Sequence, residues 1–241
     1  MKSALPGADV TGWSQAVCEY GDDSDVQLGC SFSEKGALRL GPLTIACEPG
    51  AIAGQVWGAG CALAQYLLTS EGALRVLGRV LHGDGLDVVE LGSGTGIVGL
   101  ACAVAGAGSV LLTDLPEHCD RLEANILLNK LDSSVEARSL PWGDLDALYE
   151  AVPNGCDVII GADLCYNMDL FDALLATMHE LAVARGAKIF IATEQRWDNV
   201  DAAWDAALLR SGLEVVEQWE LRRSARLLRP VMCVELRVCD E

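Results

Sequence analysis

The sequence is poor in positive charge. Lys and Arg together number 17 against 35 Asp and Glu, which gives a formal net charge of −18. A protein that binds nucleic acid needs clustered cations for the phosphates, so we expect no nucleic-acid partner. The acidic surface favours a basic partner instead, such as a protein surface rich in lysine or arginine, although solubility alone would also account for it.

Metal-ligand spacings, cysteine pairs and long apolar runs are missing too. The three histidines, His82, His118 and His179, share no ligand spacing, so we expect no metal. Ten cysteines are scattered without a C-x-x-C pair, which is typical of small core side chains in a reducing compartment. Residues 1–20 lack the features of a signal peptide, and no apolar stretch is long enough to span a bilayer. We therefore expect no membrane contact and a cytoplasmic location, with the nucleus as a second one.

Apolar residues are abundant, at 51%, and occur as short β-branched runs that alternate with helical patterns. We divide the chain into an N-terminal arm with a β-hairpin extension, residues 1–50, and a main domain, residues 51–241. The hairpin would pair residues 26–32 with 38–47. Strands of the main domain are predicted at residues 87–91, 109–113, 135–138, 157–161, 188–193, 214–219 and 231–238, and its helices at 55–68, 73–81, 97–105, 116–129, 170–184 and 200–211.

This alternation predicts an α/β fold: a Rossmann-like, seven-stranded and mostly parallel sheet with helices on both faces. Because the last two strands have no helix between them, the last strand is expected to be antiparallel.

A glycine turn joins the first core strand to its helix. Its spacing, from Gly92 to Gly96, is G-x-G-x-G and not the G-x-G-x-x-G that holds a dinucleotide pyrophosphate on a helix N-terminus. Glu90 would repel a phosphate but attract an ammonium group. S-adenosylmethionine carries an ammonium, a sulfonium and a ribose and no phosphate, so Glu90 would face its methionine end and Asp114 its ribose hydroxyls. A purely structural turn is the alternative.

At this point the sequence resembles a family, the seven-β-strand methyltransferases of the methyltransferase-like, protein-lysine methylating group. The resemblance covers residues 43–235, and the tryptophan–glycine pair and the Asp-x-x-Tyr ending are its most selective parts. The matching segments are Val56-Trp57, residues 89–96, Thr113-Asp114, Asn125 and Asn129, Leu140-Pro141-Trp142-Gly143, and residues 157–166.

The resemblance implies a set of cofactor-binding residues. Trp142 would offer the adenine a flat apolar face, or be an ordinary core tryptophan. Trp57 would border the cofactor, or anchor the first helix, and small Ala162 would let backbone approach the ligand. The full set is Trp57, Glu90, Gly92, Ser93, Gly94, Asp114, Trp142 and Ala162, with Asn125 and Asn129 as structural residues.

Asp163 and Tyr166 are the predicted catalytic residues. Asp163 would bind and orient an incoming lysine ammonium, and Tyr166 would line the lysine channel with a cation–π contact. The alternative for Asp163 is a cap on the loop that follows it. The family usually has aliphatic residues where this chain has Leu164-Cys165, and residues 194–197 match it only loosely.

The resulting functional hypothesis is an S-adenosylmethionine-dependent protein-lysine N-methyltransferase that acts as a monomer on a basic protein surface. Nucleic-acid N-methyltransferases usually show Asn/Asp-Pro-Pro-Tyr/Phe at the acceptor position, and those prolines are absent here. Methylation of arginine or of a small molecule, and a non-catalytic acidic binding module, are the alternatives. The basic run Arg222, Arg223, Arg226 and Arg229 is either a solvated loop or an edge that docks substrate.

Overall fold

A computed structural model describes residues 30–32, 37–48, 50–78, 85–195, 198–222 and 230–239. Its strands are β1 (Cys30–Phe32), β2 (Ala37–Leu40), β3 (Leu43–Ala46), β4 (Asp87–Glu90), β5 (Ser109–Asp114), β6 (Val135–Ser139), β7 (Val158–Ala162), β8 (Lys188–Glu194), β9 (Leu213–Arg222) and β10 (Val231–Val238). Its α-helices are α1 (Gly58–Leu67), α2 (Ser70–Leu77), α3 (Ile97–Val104), α4 (Cys119–Leu128), α5 (Leu145–Ala151), α6 (Phe171–Arg185) and α7 (Asp198–Leu208).

The main sheet has seven strands in the order β6-β5-β4-β7-β8-β10-β9. Strand β4 runs parallel to both β5 and β7, and β10 runs antiparallel to both β8 and β9. This confirms the predicted α/β fold with an antiparallel last strand. In a sheet of this type, the carboxyl ends of the parallel strands form the edge at which ligands bind.

Helices cover both faces of the sheet, as predicted. Strand β7 illustrates the reason, because Val158, Ile159 and Ile160 are all buried and alternate between two apolar clusters. Ile160 packs in the cluster that contains α1 to α4, and Ile159 packs in the cluster that contains α5 and α6. A strand that is buried on both faces has a continuous run of apolar residues, which is why β7 could be predicted from the sequence.

The small N-terminal sheet has three strands in the order β1-β2-β3, where a two-stranded hairpin was predicted. The predicted second strand folds back on itself at Gly41, whose φ of 54° allows the tight turn between β2 and β3. Asn129 holds the edge of β3, because its side-chain amide accepts from Thr44 N–H and donates to Thr44 C=O, each at 2.8 Å. Asn125 makes the same pair of bonds with Ala46, so the structural role expected of both asparagines is confirmed.

Within the residues that the structure describes, the other differences are confined to element ends and to one short helix. Helix α2 begins earlier and ends earlier than predicted, and Pro116 opens a 3-10 turn that leads into α4. The sequence analysis did not predict α5, which Asp144 caps by accepting from Ala147 N–H at 3.0 Å. The arm at residues 1–24, the loop 82–84 and the arginines 223, 226 and 229 lie outside the described residues. No helix in the described ranges is both long and apolar enough to cross a membrane.

Candidate active site

The glycine turn after β4 needs glycine for two separate reasons. Gly92, Gly94 and Gly96 have φ values of 58°, 56° and 80°, in the left-handed region that other residues rarely adopt. Space is short as well, since a Cβ on Gly92 would lie 2.9 Å from the Trp142 ring and 2.8 Å from Leu164. The turn is therefore a tight backbone loop in contact with Trp142, one of the predicted cofactor residues.

Asp114, at the tip of β5, is bonded to this turn. Its Oδ2 accepts from Gly94 N–H at 2.7 Å, and its Oδ1 accepts from Leu115 N–H at 2.8 Å. Ser93 ties the same two tips together, because its Oγ accepts from Thr113 N–H at 2.9 Å and its own N–H donates to Thr113 C=O at 2.8 Å. The side chain of Ser93 is buried, so its direct role is to fix the turn against β5.

Glu90 lies beneath the turn and not at its surface. Its side chain is only 2% exposed, and its Oε2 accepts from Gly99 N–H at 3.0 Å in the first turn of α3. Burial raises the pKa of Glu90 to about 8, against the opposing hydrogen bonds from Gly99 and Ser93. At neutral pH this carboxyl group is mostly protonated, whereas the sequence analysis expected a charged carboxylate facing an ammonium group. A cation close by would lower its pKa again.

Two aromatic side chains stand beside the turn on the side of Asp114. The rings of Trp142 and Tyr166 have centroids 6.5 Å apart and planes inclined by 52°. Burial raises the pKa of Tyr166, and the negative charge of Asp114 adds to that rise. Tyr166 is still 51% exposed, so it borders an accessible space. The structure thus brings together Gly92, Asp114, Trp142 and Tyr166.

Asp163 is fixed by backbone groups on both sides. Its φ is 56°, which is uncommon for a residue other than glycine. Its Oδ2 accepts from Ala59 N–H at 3.2 Å, at the start of a helix that lies 104 residues earlier in the chain. Its Oδ1 accepts from Glu194 N–H, also at 3.2 Å. Asp163 therefore caps α1 and joins it to the tips of β7 and β8, which neither reading of the sequence foresaw.

Trp57 and Ala162 lie on the α1 side of the same edge. Trp57 is the residue before α1, and its Nε1 donates to Ile52 C=O at 3.0 Å. The segment between Ile52 and Trp57 passes over the glycine turn. The carbonyl oxygen of Ala53, in this segment, would lie 3.2 Å from a Cβ on Gly94. Ala162 is the last residue of β7. A Cβ added to Gly60 of α1 would lie 3.8 Å from the Cβ of Ala162. Small residues on both sides thus let α1 approach the strand tips closely.

Glu194 is the residue that the sequence analysis missed. It ends β8, it is 7% exposed, and its Oε2 would lie 3.1 Å from a Cβ on Gly58, the first residue of α1. The available signal was its position directly after an apolar strand, the same position that Asp114 and Asp163 occupy after theirs. The strand predicted from the sequence, residues 188–193, ends at Thr193, one residue before Glu194.

This edge suits S-adenosylmethionine. The glycine turn lies at the carboxyl end of β4, where a sheet of this type binds its ligand, and it brings only backbone to that edge at Gly92 and Gly94. Asp114 supplies carboxylate oxygens at the tip of the neighbouring strand, where a ribose would lie. Trp142 adds an aromatic face beside the turn. Among the described residues, no group of three or more His, Cys, Asp and Glu is arranged to hold a metal.

Relatives of known name share the central part of the chain. "EEF1A lysine methyltransferase 3" of Mus musculus is 33% identical over 147 residues, which cover 60% of this chain and 57% of that protein. "Protein N-lysine methyltransferase METTL21A" of Danio rerio is 34% identical over 134 residues, or 54% of this chain and 56% of that one. The chain thus matches less than two thirds of the length of these relatives.

Solved structures share the fold. A methyltransferase crystallised with S-adenosylhomocysteine superposes with a TM-score of 0.60 at 12% identity, over 87% of this chain and 57% of that chain. A Pyrococcus horikoshii protein described as an RNA methyltransferase gives 0.57 at 13% identity, over 81% and 93% of the two chains.

The family defined by sequence is more specific than the fold that these solved structures share. A family model described as "Lysine methyltransferase" matches residues 42–208, which include the glycine turn, Asp114, Trp142 and Asp163. Since this match spans more than half of the 241 residues, the chain belongs to the lysine methyltransferase family.

Proposed function

We propose that this protein transfers a methyl group from S-adenosylmethionine to the side-chain nitrogen of a lysine in a protein substrate. Its family and the names of its relatives support lysine as the acceptor. The observation that carries the proposal is the convergence of two groups of residues on one edge of the sheet. The glycine turn with Asp114 and Trp142 forms the first group, and Asp163 with Tyr166 forms the second.

The cofactor would lie along the first group. Asp114 would accept hydrogen bonds from the ribose hydroxyls, and Trp142 would contact the adenine. The backbone of Gly92 and Gly94, held by Ser93, would lie against the methionine end, with Glu90 below it. Trp57 and Ala162 would close the space from the α1 side.

When bound, S-adenosylmethionine supplies an activated methyl group: the lysine nitrogen forms the new C–N bond as the C–S bond breaks, the sulfur keeps that electron pair, and the nitrogen's extra proton goes to water. The chain's residues must align the nitrogen with the methyl carbon and exclude water from the channel. Lysine has an ordinary pKa of about 10.4, so the site must also favour the neutral amine. Contact with the half-exposed ring of Tyr166 would remove part of the water around the amine, and desolvation disfavours the charged form.

Charge and cysteine chemistry support proposals about partners and location. A net charge of −18 favours a substrate with a basic surface, which would be drawn to the acidic protein at low salt. Cys102, Cys156 and Cys233 are buried thiols, and burial raises the pKa of each well above its usual value, which keeps them unreactive. We propose that the protein acts as a monomer in the cytoplasm or the nucleus.

Transfer of a labelled methyl group tests the reaction class. The protein is incubated with tritium-labelled S-adenosylmethionine and a cell lysate, and the labelled proteins are hydrolysed and separated by amino-acid analysis. We expect label in methylated lysine with the wild type and none above background with Asp114→Ala. Label that occurs only in methylated arginine, or only in the low-mass fraction, would contradict lysine as the acceptor.

A further inference from the structure

Trp142 lies in a tight turn between β6 and α5. It takes the second position of a β-turn that is closed by a hydrogen bond from Asp144 N–H to Pro141 C=O at 3.2 Å. Gly143 takes the third position, where its φ of 85° is the positive value typical of a type II turn. The turn places the Trp142 ring against Gly92, whose added Cβ would lie 2.9 Å from that ring. The position of the ring therefore depends on the position of this turn.

Thr177, in the middle of α6, holds the turn in place. The Gly143 N–H donates to Thr177 Oγ1 at 2.8 Å, and the Thr177 hydroxyl donates to Ala173 C=O at 2.9 Å. Because the hydroxyl hydrogen is used within the helix, the oxygen presents its lone pairs to the Gly143 N–H. Ala173 lies on the same face of α6, four residues earlier, and its Cβ would lie 3.2 Å from a Cβ on Gly143. The turn is thus attached to α6 by one directional bond and one close contact.

The burial of Thr177 indicates that its hydroxyl is needed for this bond. Its side chain is 1% exposed, and a buried hydroxyl without a partner is costly. Valine has nearly the same shape, so packing alone would not require an oxygen at this position. The other buried residues of α6, a helix that lies wholly within the described part of the chain, are apolar: Phe171, Leu174, Leu175, Met178, Leu181 and Ala182.

Helix α6 also follows directly on the second aromatic residue of the site. Tyr166 is separated from α6 only by Asn167 and the 3-10 turn Met168–Leu170. The bond between Thr177 and the turn therefore joins the segment that carries Trp142 to the segment that carries Tyr166. The distance of 6.5 Å between the two ring centroids is set by α6 from both sides.

We propose that Thr177 is a positioning residue for cofactor binding, which acts by holding Trp142 in place; this inference rests on the proposed function, in which Trp142 contacts the adenine. Thr177 is buried behind the turn, so it acts through Trp142 and not by touching the ligand. Without the bond, the Gly143 N–H pairs with water and the turn moves among several positions. Only some of these keep the Trp142 ring beside Gly92, and affinity for the cofactor falls with the fraction of molecules in that arrangement.

The variant Thr177→Val tests the proposal, since it removes the hydroxyl and keeps the shape. We expect the Kd for S-adenosylmethionine, measured by calorimetry, to rise about fivefold to tenfold, the effect of losing one hydrogen bond. With a lysine-containing substrate identified by the labelling experiment, kcat at saturating cofactor should stay within about twofold of the wild type, because the bound state is unchanged. Thr177→Ser keeps the hydroxyl and should restore the wild-type Kd.

Thr69→Val is the matched control. Thr69 Oγ1 also accepts from a glycine N–H, that of Gly72, at 3.0 Å, and its hydroxyl also donates to a backbone carbonyl, that of Tyr66, at 2.7 Å. Thr69 lies beyond the last residue of α1, at the end of that helix away from the site. Its replacement removes the same two bonds, and we expect it to leave the Kd for S-adenosylmethionine unchanged.

Fluorine NMR of protein labelled with fluorotryptophan reports the position of the ring directly. The resonance that is lost in Trp142→Phe belongs to Trp142. In the cofactor-free protein, we expect this resonance to shift or broaden in Thr177→Val and to stay in place in Thr69→Val. A role of Thr177 in stability alone would leave the resonance where it is, because the folded state would be the same.

Several results would overturn the inference while leaving the proposed function intact. They are an unchanged Kd with an unmoved resonance in Thr177→Val, a moved resonance with a wild-type Kd, a Kd in Thr177→Ser as weak as in Thr177→Val, and an equal loss of affinity in Thr69→Val. Failure of the proposed function is distinguishable from all of these, because the wild type itself would then methylate no lysine.

Discussion

The two edges of the main sheet treat their acidic residues in opposite ways. At the amino edge, Arg185 binds Asp87 at 2.8 Å and Asp157 at 2.6 Å, and Ser109 donates to Asp87 at 2.6 Å. These hydrogen bonds and the guanidinium lower the pKa of Asp87. At the carboxyl edge, the bonds described above for Asp114 and Asp163 come from backbone N–H groups.

The difference in bonding indicates that the acids of the amino edge have a structural role and that those of the carboxyl edge have a functional one. A guanidinium neutralises the carboxylates beside it, so the amino edge has little charge left to offer a ligand. Backbone N–H groups orient the Asp114 carboxylate without supplying a counter-charge, so the tip of β5 keeps a negative potential at a fixed position. That arrangement costs stability in the free protein and favours a cationic ligand, which is typical of a binding site.

The largest expected effect is the loss of cofactor binding on removal of the Asp114 carboxylate. Hydrogen bonds to a charged group contribute about 1.5–3 kcal/mol each, so we expect Asp114→Ala to weaken S-adenosylmethionine binding at least about 100-fold. Asp87→Ala removes an acid at the other end of the neighbouring strand β4, and calorimetry should give it a wild-type Kd. Equal affinities for the wild type and Asp114→Ala would show that the ribose lies elsewhere.

The sequence was sufficient for the sheet because burial leaves a clear pattern. Core strands such as β7 are apolar on both faces, and the acids that follow them mark where each strand ends. Since those ends share one edge of a parallel sheet, residues as distant in sequence as Asp114 and Asp163 could be assigned to one site. The same reasoning applied one residue further along β8 would have included Glu194.

The direction of side chains could not be read from the sequence. Glu90 points to Gly99 beneath the turn, and Asp163 caps a helix at Ala59, 104 residues before it. Both bonds depend on how helices pack against the sheet, which residue type and spacing do not specify. The N-terminal sheet was predicted wrongly for a different reason. The Gly41-Pro42 pair marks the turn between β2 and β3, and this turn signal was passed over when residues 38–47 were assigned to one strand.

A second, smaller effect is the pH dependence that Glu90 gives to the free energy of unfolding. Its pKa of about 8 in the folded protein lies above its ordinary value of 4.5, so the folded state holds a proton that the unfolded state releases between those values. The free energy of unfolding therefore falls as pH rises from about 5 to 8, by about 1 kcal/mol per pH unit from this group. Glu90→Gln should remove that slope, as measured by urea denaturation at several pH values.

The same variant tests what Glu90 does when the cofactor binds. If the methionine ammonium lies close to it, binding will lower its pKa and release a proton, and wild-type affinity will increase between pH 6 and 8. Glu90→Gln should lack that increase. A pH-independent affinity in both proteins would mean that Glu90 only holds α3 to the sheet through Gly99, in contrast to the role expected from the sequence.

The smallest effect is expected at the amino edge, with Arg185→Ala. The guanidinium is partly exposed, and exposed ion pairs contribute between 0 and about 1 kcal/mol each, so the two pairs together should cost about 1 kcal/mol of unfolding free energy. Because the pKa of Asp87 is lowered in the folded state, that loss should be present at neutral pH and fade as pH falls below about 4.

Arg210→Ala is the control: it removes a more exposed pair with Asp172 and should cost less unfolding free energy. Neither variant should alter methyl transfer, and a loss of activity in Arg185→Ala at unchanged stability would mean that the amino edge takes part in function after all.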